Sequence, residues 1–199
     1  MRRLVLACAL ALAACGQAEQ KRAETFPVID APNYDASIGP GGAAGISTAL
    51  PMSLDAVRTA APNYIVAEVQ DQVEGEAFTA ITLSAGDEEV FRILPTADRG
   101  HIHAIVTRST QARGPTQDIV GSVKFAVAPP EQVPFCISEY VDGAPGFACS
   151  TAADGTFWRI YRLPQGAEGA ASFEEIEPDV LHDATLAEMR WIAPRVAAQ

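Results

Sequence analysis

Residues 64–107, YIVAEVQDQVEGEAFTAITLSAGDEEVFRILPTADRGHIHAIVT, are the stretch that decides the fold. Apolar and polar residues alternate along much of this stretch, and Val, Ile, Thr and Phe recur in it. Such alternation is typical of strands with one buried face, because successive side chains of a strand point to opposite sides. Turn signals containing Gly and Asp separate the runs. The stretch therefore predicts an antiparallel meander of four strands: Tyr64–Gln70, Ala77–Leu83, Glu89–Leu94 and His101–Thr107.

A short helix is predicted just before this meander. Ser53 suits the N-cap position, where a hydroxyl accepts a hydrogen bond from a free backbone N–H. Asp55 follows in the first turn, near the positive end of the helix dipole. Pro62 ends the helix, which therefore begins at Leu54 and covers about two turns.

A glycine-rich stretch, IGPGGAAGI at residues 38–46, precedes the helix. Such loops can cradle phosphate, but the G-x-G-x-x-G spacing requires a glycine where this chain has Ala44. No strand leads into the stretch and no phosphate-binding lysine motif follows it. We interpret it as a tight turn that uses the conformational freedom of glycine.

The second half of the chain predicts further strands. Val120–Ala128 alternates like a strand but is short enough to be a helix, so it stays ambiguous. Phe147–Thr151 and Phe157–Leu163 predict a hairpin, and Ala187–Ile192 a last strand. The fold class is therefore α+β, mainly an antiparallel β-sheet with one or two short helices, in a single domain over residues 38–194. The order of elements also permits a weak internal duplication, each half an opening segment followed by antiparallel strands.

Residues 1–14 predict a cleaved lipoprotein signal. Arg2 and Arg3 provide the positive n-region, and residues 4–14 are apolar. A bilayer span needs about 20 apolar residues, so this run is a processed signal. It closes on Leu12-Ala13-Ala14-Cys15, the pattern for cleavage before Cys15 and lipidation of its thiol. An ordinary secretory signal with an incidental Cys15 is the alternative.

The processed chain then divides into three parts. Residues 15–37 are the lipidated N-terminus and a polar, flexible tether, residues 38–194 the domain, and residues 195–199 a C-terminal tail. Gly16 follows the lipidated cysteine, where an Asp tends to retain bacterial lipoproteins at the inner membrane. Similarity to that class implies that the protein is anchored in the outer membrane and faces the periplasm.

The chain is strongly acidic, with a net charge of −11 that becomes −13 when Arg2 and Arg3 leave with the signal. So acidic a protein repels phosphate backbones, which excludes nucleic acid as the expected partner. Anionic membrane surfaces repel it as well, so the N-terminal lipid must provide the membrane attachment.

Two of the four cysteines remain for the domain. Cys8 leaves with the signal and Cys15 carries the lipid, so Cys136 and Cys149 are left. In an oxidising compartment, an even remainder predicts a disulfide. A metal pair or a redox pair is the alternative, but there is no C-x-x-C motif and no neighbouring histidine.

Several motifs follow one another along the processed chain. They are the lipobox, the glycine loop at 39–45, APNY at 61–64, IV at 105–106, the two domain cysteines, RIY at 159–161, Leu186 and RWI at 190–192. In this order and spacing the chain resembles the RpoE-regulated lipoprotein family. The resemblance implies an envelope location and an architecture, but no activity, cofactor or catalytic residue. The segment before the first domain cysteine is helical in that family, whereas Val120–Ala128 alternates here.

His101 and His103 are the best candidates for a metal site. Residues i and i+2 of a strand share a face, so both imidazoles could reach one Zn²⁺ or Cu²⁺ ion. His182, Asp98 or Glu89 would have to supply a third ligand. The alternative is a pair of surface histidines opposite the apolar Ile102 and Ala104.

Other polar clusters carry less information. We interpret the carboxylates around residues 71–76 and 87–89 as solvated turns, since EF-hand spacing is absent. Arg99, Arg108 and Arg113 could engage carboxylates of a partner, or pair with acids of the chain itself.

Common hydrolase motifs do not occur in the sequence, and no cofactor is predicted. The first hypothesis is a non-enzymatic, lipid-anchored envelope protein whose domain binds a protein or cell-wall partner. A lipoprotein that binds a metal or small ligand through His101 and His103 is the alternative, and an enzyme with an unmarked site ranks last.

Overall fold

The computed structural model describes residues 33–73 and 75–194. The predicted signal peptide, Cys15, most of the tether and the C-terminal tail lie outside these residues. An eight-stranded antiparallel sheet dominates the described part, and a two-stranded sheet lies beside it. The fold class is therefore α+β with a mainly antiparallel sheet and two short helices, as predicted.

The elements follow the chain in a simple order. The small sheet is β1 (Ile38–Gly39) with β2 (Gly42–Ala43), and the helices are α1 (Leu54–Ala60) and α2 (Pro178–Asp183). The large sheet comprises β3 (Ile65–Val73), β4 (Glu76–Ala85), β5 (Glu88–Pro95), β6 (Ile102–Thr107), β7 (Phe135–Val141), β8 (Ala144–Ser150), β9 (Phe157–Arg162) and β10 (Thr185–Ile192). Short 3-10 turns lie at Phe125–Val127, Pro130–Gln132 and Phe173–Glu175.

The strand order of the large sheet is β3-β4-β5-β6-β10-β9-β8-β7. It consists of two four-stranded meanders, each ordered along the chain, which join through their last strands β6 and β10. A helical segment precedes each meander: α1 before the first, and the turns at 125–127 and 130–132 before the second. This is the arrangement that an internal duplication predicts.

The first meander lies where the alternating sequence placed it. Each of its four strands overlaps a predicted strand, with ends shifted by a few residues. Helix α1 also begins at the predicted residue, Leu54, and the Ser53 hydroxyl accepts a hydrogen bond from the Ala56 N–H at 3.3 Å. Local pattern and cap chemistry therefore suffice for this half of the domain.

The main core lies on one face of the sheet, here called the inner face. The sheet register aligns Trp191 with Ile105 on one side and Phe157 on the other, and all three are buried. Phe147 stacks on Tyr161 with ring centroids 5.2 Å apart. Burying one such large side chain is worth about 1.5–3 kcal/mol. The helices and long connections cover this face and exclude water from it.

The N-terminal segment packs onto this core from residue 34 onward. The Tyr34 ring lies 5.0 Å from the Tyr64 ring, and the Tyr64 hydroxyl donates to the carbonyl of Asp35 at 2.6 Å. Backbone contacts to the domain therefore begin a few residues before Ile38.

The ambiguous segment Val120–Ala128 is neither a strand nor an α-helix. It consists of turns followed by the 3-10 turn at 125–127. Phe125, one of the alternating apolar residues, packs onto the core rather than lying in a strand. The centroid of the Phe125 ring lies 5.0 Å from that of Phe147 and 5.2 Å from that of Tyr161, and the rings meet edge-on. Prolines follow directly and lack the N–H that a sheet ladder needs, so the segment lies across the inner face instead.

Strand β7 and helix α2 were not predicted. The β7–β8 turn contains Asp142 and Gly143, both with positive φ (52° and 76°). An Asp-Gly pair with two positive φ angles is typical of a tight hairpin. That dipeptide was the signal in the sequence that could have identified β7 and extended the predicted hairpin to three strands.

The glycine-rich stretch forms the β1–β2 hairpin, as a tight turn rather than a phosphate loop. Gly42 has φ of +141°, and a Cβ atom there would lie 2.3 Å from the carbonyl oxygen of Ile46. Only glycine fits this close approach of two backbone segments.

Candidate functional site

A groove of about 660 Å³ lies on the outer face of the sheet, opposite the main core. The β3–β4 hairpin lines one side of it, and the β7–β8 turn lines the other. Leu94 and Val106 contribute apolar surface between them. The charged residues that line the groove are Asp71, Glu88, Glu89, Arg92, Arg108, Asp142, Glu188 and Arg190.

Arg92 and Arg190 lie on either side of Val106. The register pairs Val106 with Arg92 of β5 and with Arg190 of β10. Cross-strand partners project to the same face, so the two arginines flank Val106 at about 10 Å between their Cα atoms, twice the strand spacing. Arg108 comes two residues after Val106, just beyond the end of β6. Three guanidinium groups thus surround one apolar residue.

Glu188 is a buried carboxylate held between two of these arginines. Its side chain is 4% exposed. Arg108 donates to it through Nε at 2.9 Å, and Arg190 through Nη2 at 2.7 Å. Burial acts to lower the pKa of Arg190, but attraction to Glu188 and Glu139 outweighs it and holds that pKa above its usual value. A buried carboxylate requires such partners, so Glu188 fixes the orientation of both guanidiniums.

Arg92 of β5 binds one carboxylate of its own strand and one of β3, from which β4 separates it. Its Nε and Nη2 donate to the two carboxylate oxygens of Glu89 at 2.8 and 2.9 Å, and its Nη1 donates to Asp71 of β3 at 2.8 Å. The hydrogen bonds to Glu89 and Asp71 raise the pKa of Arg92 above its usual value. Burial acts to raise the pKa of Asp71, but the bond from Arg92 lowers it overall. Both groups are therefore charged at neutral pH.

Asp142 connects the second hairpin to the groove. It accepts from Nη1 of Arg108 at 2.5 Å and from Nη2 of Arg162 at 2.7 Å. The Asp142 side chain is half-exposed, as are both arginines. This part of the ion-pair network therefore lies open to solvent.

Glu88 differs from the other carboxylates of the groove because its side-chain hydrogen-bond donors are neutral. It accepts from the Ser109 hydroxyl at 2.5 Å and from the side-chain amide of Gln111. Within residues 33–73 and 75–194, no lysine or arginine forms an ion pair with it. Neutral donors in the described part of the chain, rather than a direct ion pair, therefore hold this negative charge.

The charges of the groove do not cancel. Five carboxylates and three guanidiniums line it, which leaves a formal excess of two negative charges. Glu88 accounts for part of this excess, because none of the described residues forms an ion pair with it. The groove thus presents both signs of charge at defined positions, with an acidic balance.

The structure places His101 directly before β6 and His103 within it, and neither lines the groove. The β5–β6 register shifts between Leu94 and Pro95, which pair with Ala104 and Ile102, so the strand is bulged at His103. Regular alternation, on which the shared-face argument depends, is interrupted there. Ile102 and Ala104 are buried, and His103 is exposed.

The third ligands considered for this pair have other partners. Glu89 binds Arg92, Asp98 accepts from the Thr96 hydroxyl at 2.5 Å, and His182 lies beside Asp183. In the described ranges, no three His, Cys, Asp or Glu side chains cluster as a metal site. Metal binding by His101 and His103 stays a prediction, which metal analysis of chelator-free protein beside His103→Ala would test.

The three candidate arginines of the sequence analysis have different surroundings. Arg108 pairs with acids of the chain itself, one of the two alternatives considered. Arg99 donates to the carbonyl of Ala77 at 3.0 Å, and Arg113 to that of Thr110 at 2.6 Å. Asp71 and Glu89, interpreted as solvated turn residues, instead bind Arg92. Glu139, Asp142, Glu188 and Arg190 were not recognised, because only the sheet register brings them together.

Cys136 and Cys149 are directly opposite each other in β7 and β8. Their sulfur atoms are bonded, and their Cα atoms lie 4.2 Å apart. Cys149 is fully buried in the main core, and Cys136 packs against that core at its edge. The pair therefore joins the edge strand of the sheet to its neighbour.

The fold and the groove define a class of protein: an α+β domain whose eight-stranded sheet consists of two four-stranded meanders, with an arginine–carboxylate groove on the outer face of that sheet. In the part of the chain that the structure covers, no helix is long and apolar enough to cross a membrane.

No protein-family model matches the sequence, and no curated protein matches it. Among solved structures, the chain is similar to the uncharacterized protein yfeY from Escherichia coli. The TM-score is 0.57 at 16% sequence identity, and the match covers 78% of this chain and 99% of that chain. At this identity the similarity shows a shared fold alone.

Proposed function

We propose that this chain is a lipid-anchored envelope lipoprotein of the RpoE-regulated type. Its domain binds a protein or cell-wall partner in the periplasm and does not catalyse a reaction. The observation that carries the binding role is the groove on the outer face, where charged side chains of both signs are held in place by buried and cross-strand contacts.

Three separate features support this proposal. The lipobox at residues 12–15 supports the anchor, and the acidic body requires one, because anionic membrane surfaces repel it. The shared fold with an uncharacterized bacterial protein supports the family. Oriented arginines support recognition, since a guanidinium that is already fixed loses less freedom when it binds.

The surroundings of Ser109 support binding rather than catalysis. Its hydroxyl, adjacent to Arg108 in the chain, donates to Glu88 at 2.5 Å. A serine nucleophile is commonly activated by a histidine base, and among the described residues no histidine is hydrogen-bonded to Ser109. The Ser109 oxygen also accepts from the Gln111 N–H at 3.0 Å, so its contacts are those of a residue that shapes a loop.

The anchor predicts that labelled palmitate is incorporated into the wild-type protein and not into Cys15→Ala. Cleavage before Cys15 should fail in that variant, because the processing follows lipid attachment at this thiol. Metabolic labelling, with mass analysis of the N-terminus, measures both. Wild-type protein without label would contradict the anchor.

The binding role predicts a crosslinked product in the envelope that depends on the groove. Arg92→Glu breaks the contacts to Asp71 and Glu89 and should reduce that product several-fold. Arg58→Glu is the matched control, because Arg58 is a half-exposed arginine on α1, away from the groove. Crosslinking in cells, with thermal unfolding to confirm folding, compares the three proteins. Equal yields from all three would contradict a role for the groove.

A further inference from the structure

We infer that the groove recognises a short peptidic ligand that carries both a free carboxylate and a free ammonium group. This inference rests on the proposed binding role and names the ligand class. The carboxylate binds Arg108, and the ammonium binds Glu88.

Arg108 has the features of a carboxylate-binding residue. Buried Glu188 holds its Nε and Asp142 holds its Nη1, and no described residue accepts from its Nη2. The side chain is 55% exposed and lines the groove. An arginine fixed on one edge with a free N–H on the other can donate to an incoming carboxylate without rearrangement.

Glu88 has the complementary features. Both of its carboxylate oxygens are oriented by neutral donors, Ser109 and Gln111, rather than by a cation. An ammonium group that reaches it gains a charge-assisted hydrogen bond without displacing an arginine. Glu88 and Arg108 both line the same groove, and Ser109, the partner of Glu88, is next to Arg108 in the chain.

The charge balance favours an amphoteric ligand over a purely anionic or purely cationic one. A purely anionic ligand would face five carboxylates, and a purely cationic one would face three guanidiniums. Like charges at short range cost several kcal/mol in a recognition site, roughly as at protein interfaces. An amphoteric peptide satisfies both signs, and its apolar portion can lie on Val106 and Leu94.

The test uses alanyl-alanine with free termini, N-acetyl-alanyl-alanine and alanyl-alanine amide as probes. Each is titrated into the full-length protein in non-ionic detergent, and binding is followed by calorimetry. The free dipeptide should bind at least about tenfold more tightly than either blocked form, the effect of losing one charged contact worth about 1.4 kcal/mol. Equal binding of the three probes, or none, overturns the inference.

Variants assign the two ends of the ligand. Arg108→Gln should bind the free dipeptide no more tightly than wild type binds alanyl-alanine amide. Glu88→Gln should bind the free dipeptide no more tightly than wild type binds N-acetyl-alanyl-alanine. Arg108→Lys keeps the charge but lacks Nη2, so it should also lose the preference for a free carboxylate. Arg58→Gln is the matched control, and thermal unfolding shows that each variant is folded. Loss of binding in the control as well as in the groove variants overturns the assignment.

A further arm identifies the source of the peptide. If peptidoglycan stem peptides bind at least about tenfold more tightly than alanyl-alanine, the cell wall is supported as the source. A gain in affinity of about tenfold corresponds to one additional contact with the longer peptide. Equal affinity supports free peptides. If no dipeptide or stem peptide binds while the groove-dependent crosslink persists, the peptide inference fails and the binding role stands. If the crosslink is also absent, both fail.

Discussion

Asp118→Ala is expected to lower the free energy of unfolding by about 3–5 kcal/mol, because it leaves the guanidinium of Arg159 buried without its counter-charge. The side chains of Arg159 and Asp118 are 3% and 6% exposed. Nε and Nη2 of Arg159 each lie 2.9 Å from Oδ2 of Asp118. A buried charge that loses its partner keeps its desolvation cost, which is why the effect is large.

The same carboxylate also holds the long loop between β6 and β7. Oδ1 of Asp118 accepts from the Thr116 hydroxyl at 2.8 Å, and the Asp118 carbonyl accepts from the Gly114 N–H at 3.0 Å. A Cβ atom on Gly114 would lie 2.6 Å from Oδ2 of Asp118, so the loop is packed closely around the pair. Removing the carboxylate should therefore also increase hydrogen exchange in residues 113–120.

A surface ion pair provides the matched control. Arg58 and Asp55 lie 3.7 Å apart on α1, and Asp55 is 99% exposed. Asp55→Ala should change the free energy of unfolding by less than about 1 kcal/mol, as exposed pairs do. Urea denaturation of both variants measures the contrast. A loss in Asp118→Ala no larger than the loss in Asp55→Ala would show that the buried pair does not hold the fold together.

The first half of the fold was predictable because its determinants are local. Alternation in residues 64–107 sets the strand faces, and Ser53 and Pro62 set the ends of α1. Each of these signals acts over a few residues, and the structure agrees with each. The second half departs from local pattern at Val120–Ala128, where alternation arises from packing of Phe125 onto the core rather than from a strand.

The groove could not be predicted in the same way. Arg92 and Arg190 belong to different meanders, and they flank Val106 in one groove only because β6 pairs with β5 on one side and β10 on the other. Nothing in a local window reports which strands become neighbours. A charged residue in an alternating strand looks solvated in sequence, although Glu188 is buried once Arg108 and Arg190 cover it.

The disulfide could be predicted only in part: its two cysteines were identified from the sequence, but the strand that carries one of them was not. Composition alone left Cys136 and Cys149 as a candidate bridge, but their role depends on β7, which was not predicted. Because β7 is the last strand of the sheet, one of its two edges has no neighbouring strand within residues 33–73 and 75–194. The bridge therefore joins the least supported strand of the second meander to the core.

Removing this bridge is expected to lower the free energy of unfolding by about 3 kcal/mol, since closing a loop of about 15 residues restricts the unfolded chain by that amount. The cysteines are separated by 13 positions in sequence. The Cys136→Ser/Cys149→Ser double variant, compared with wild type in urea without reductant, measures the loss. Non-reducing mass mapping should first join Cys136 to Cys149 in the wild type.

Reduction provides the internal control for that comparison. Dithiothreitol should bring wild type down to the stability of the double variant and leave the variant unchanged, because the variant has no bridge to break. Hydrogen exchange should rise in β7 before β9, since β7 has a neighbouring strand on one side only among the described residues. Glu139 of β7 binds Arg190 at 3.0 Å, so a loosened β7 also weakens one contact of the groove. If reductant left wild-type stability unchanged, the bridge would not be what holds β7 in place, and its contact with Arg190 would have to be maintained by the strand ladder to β8 alone.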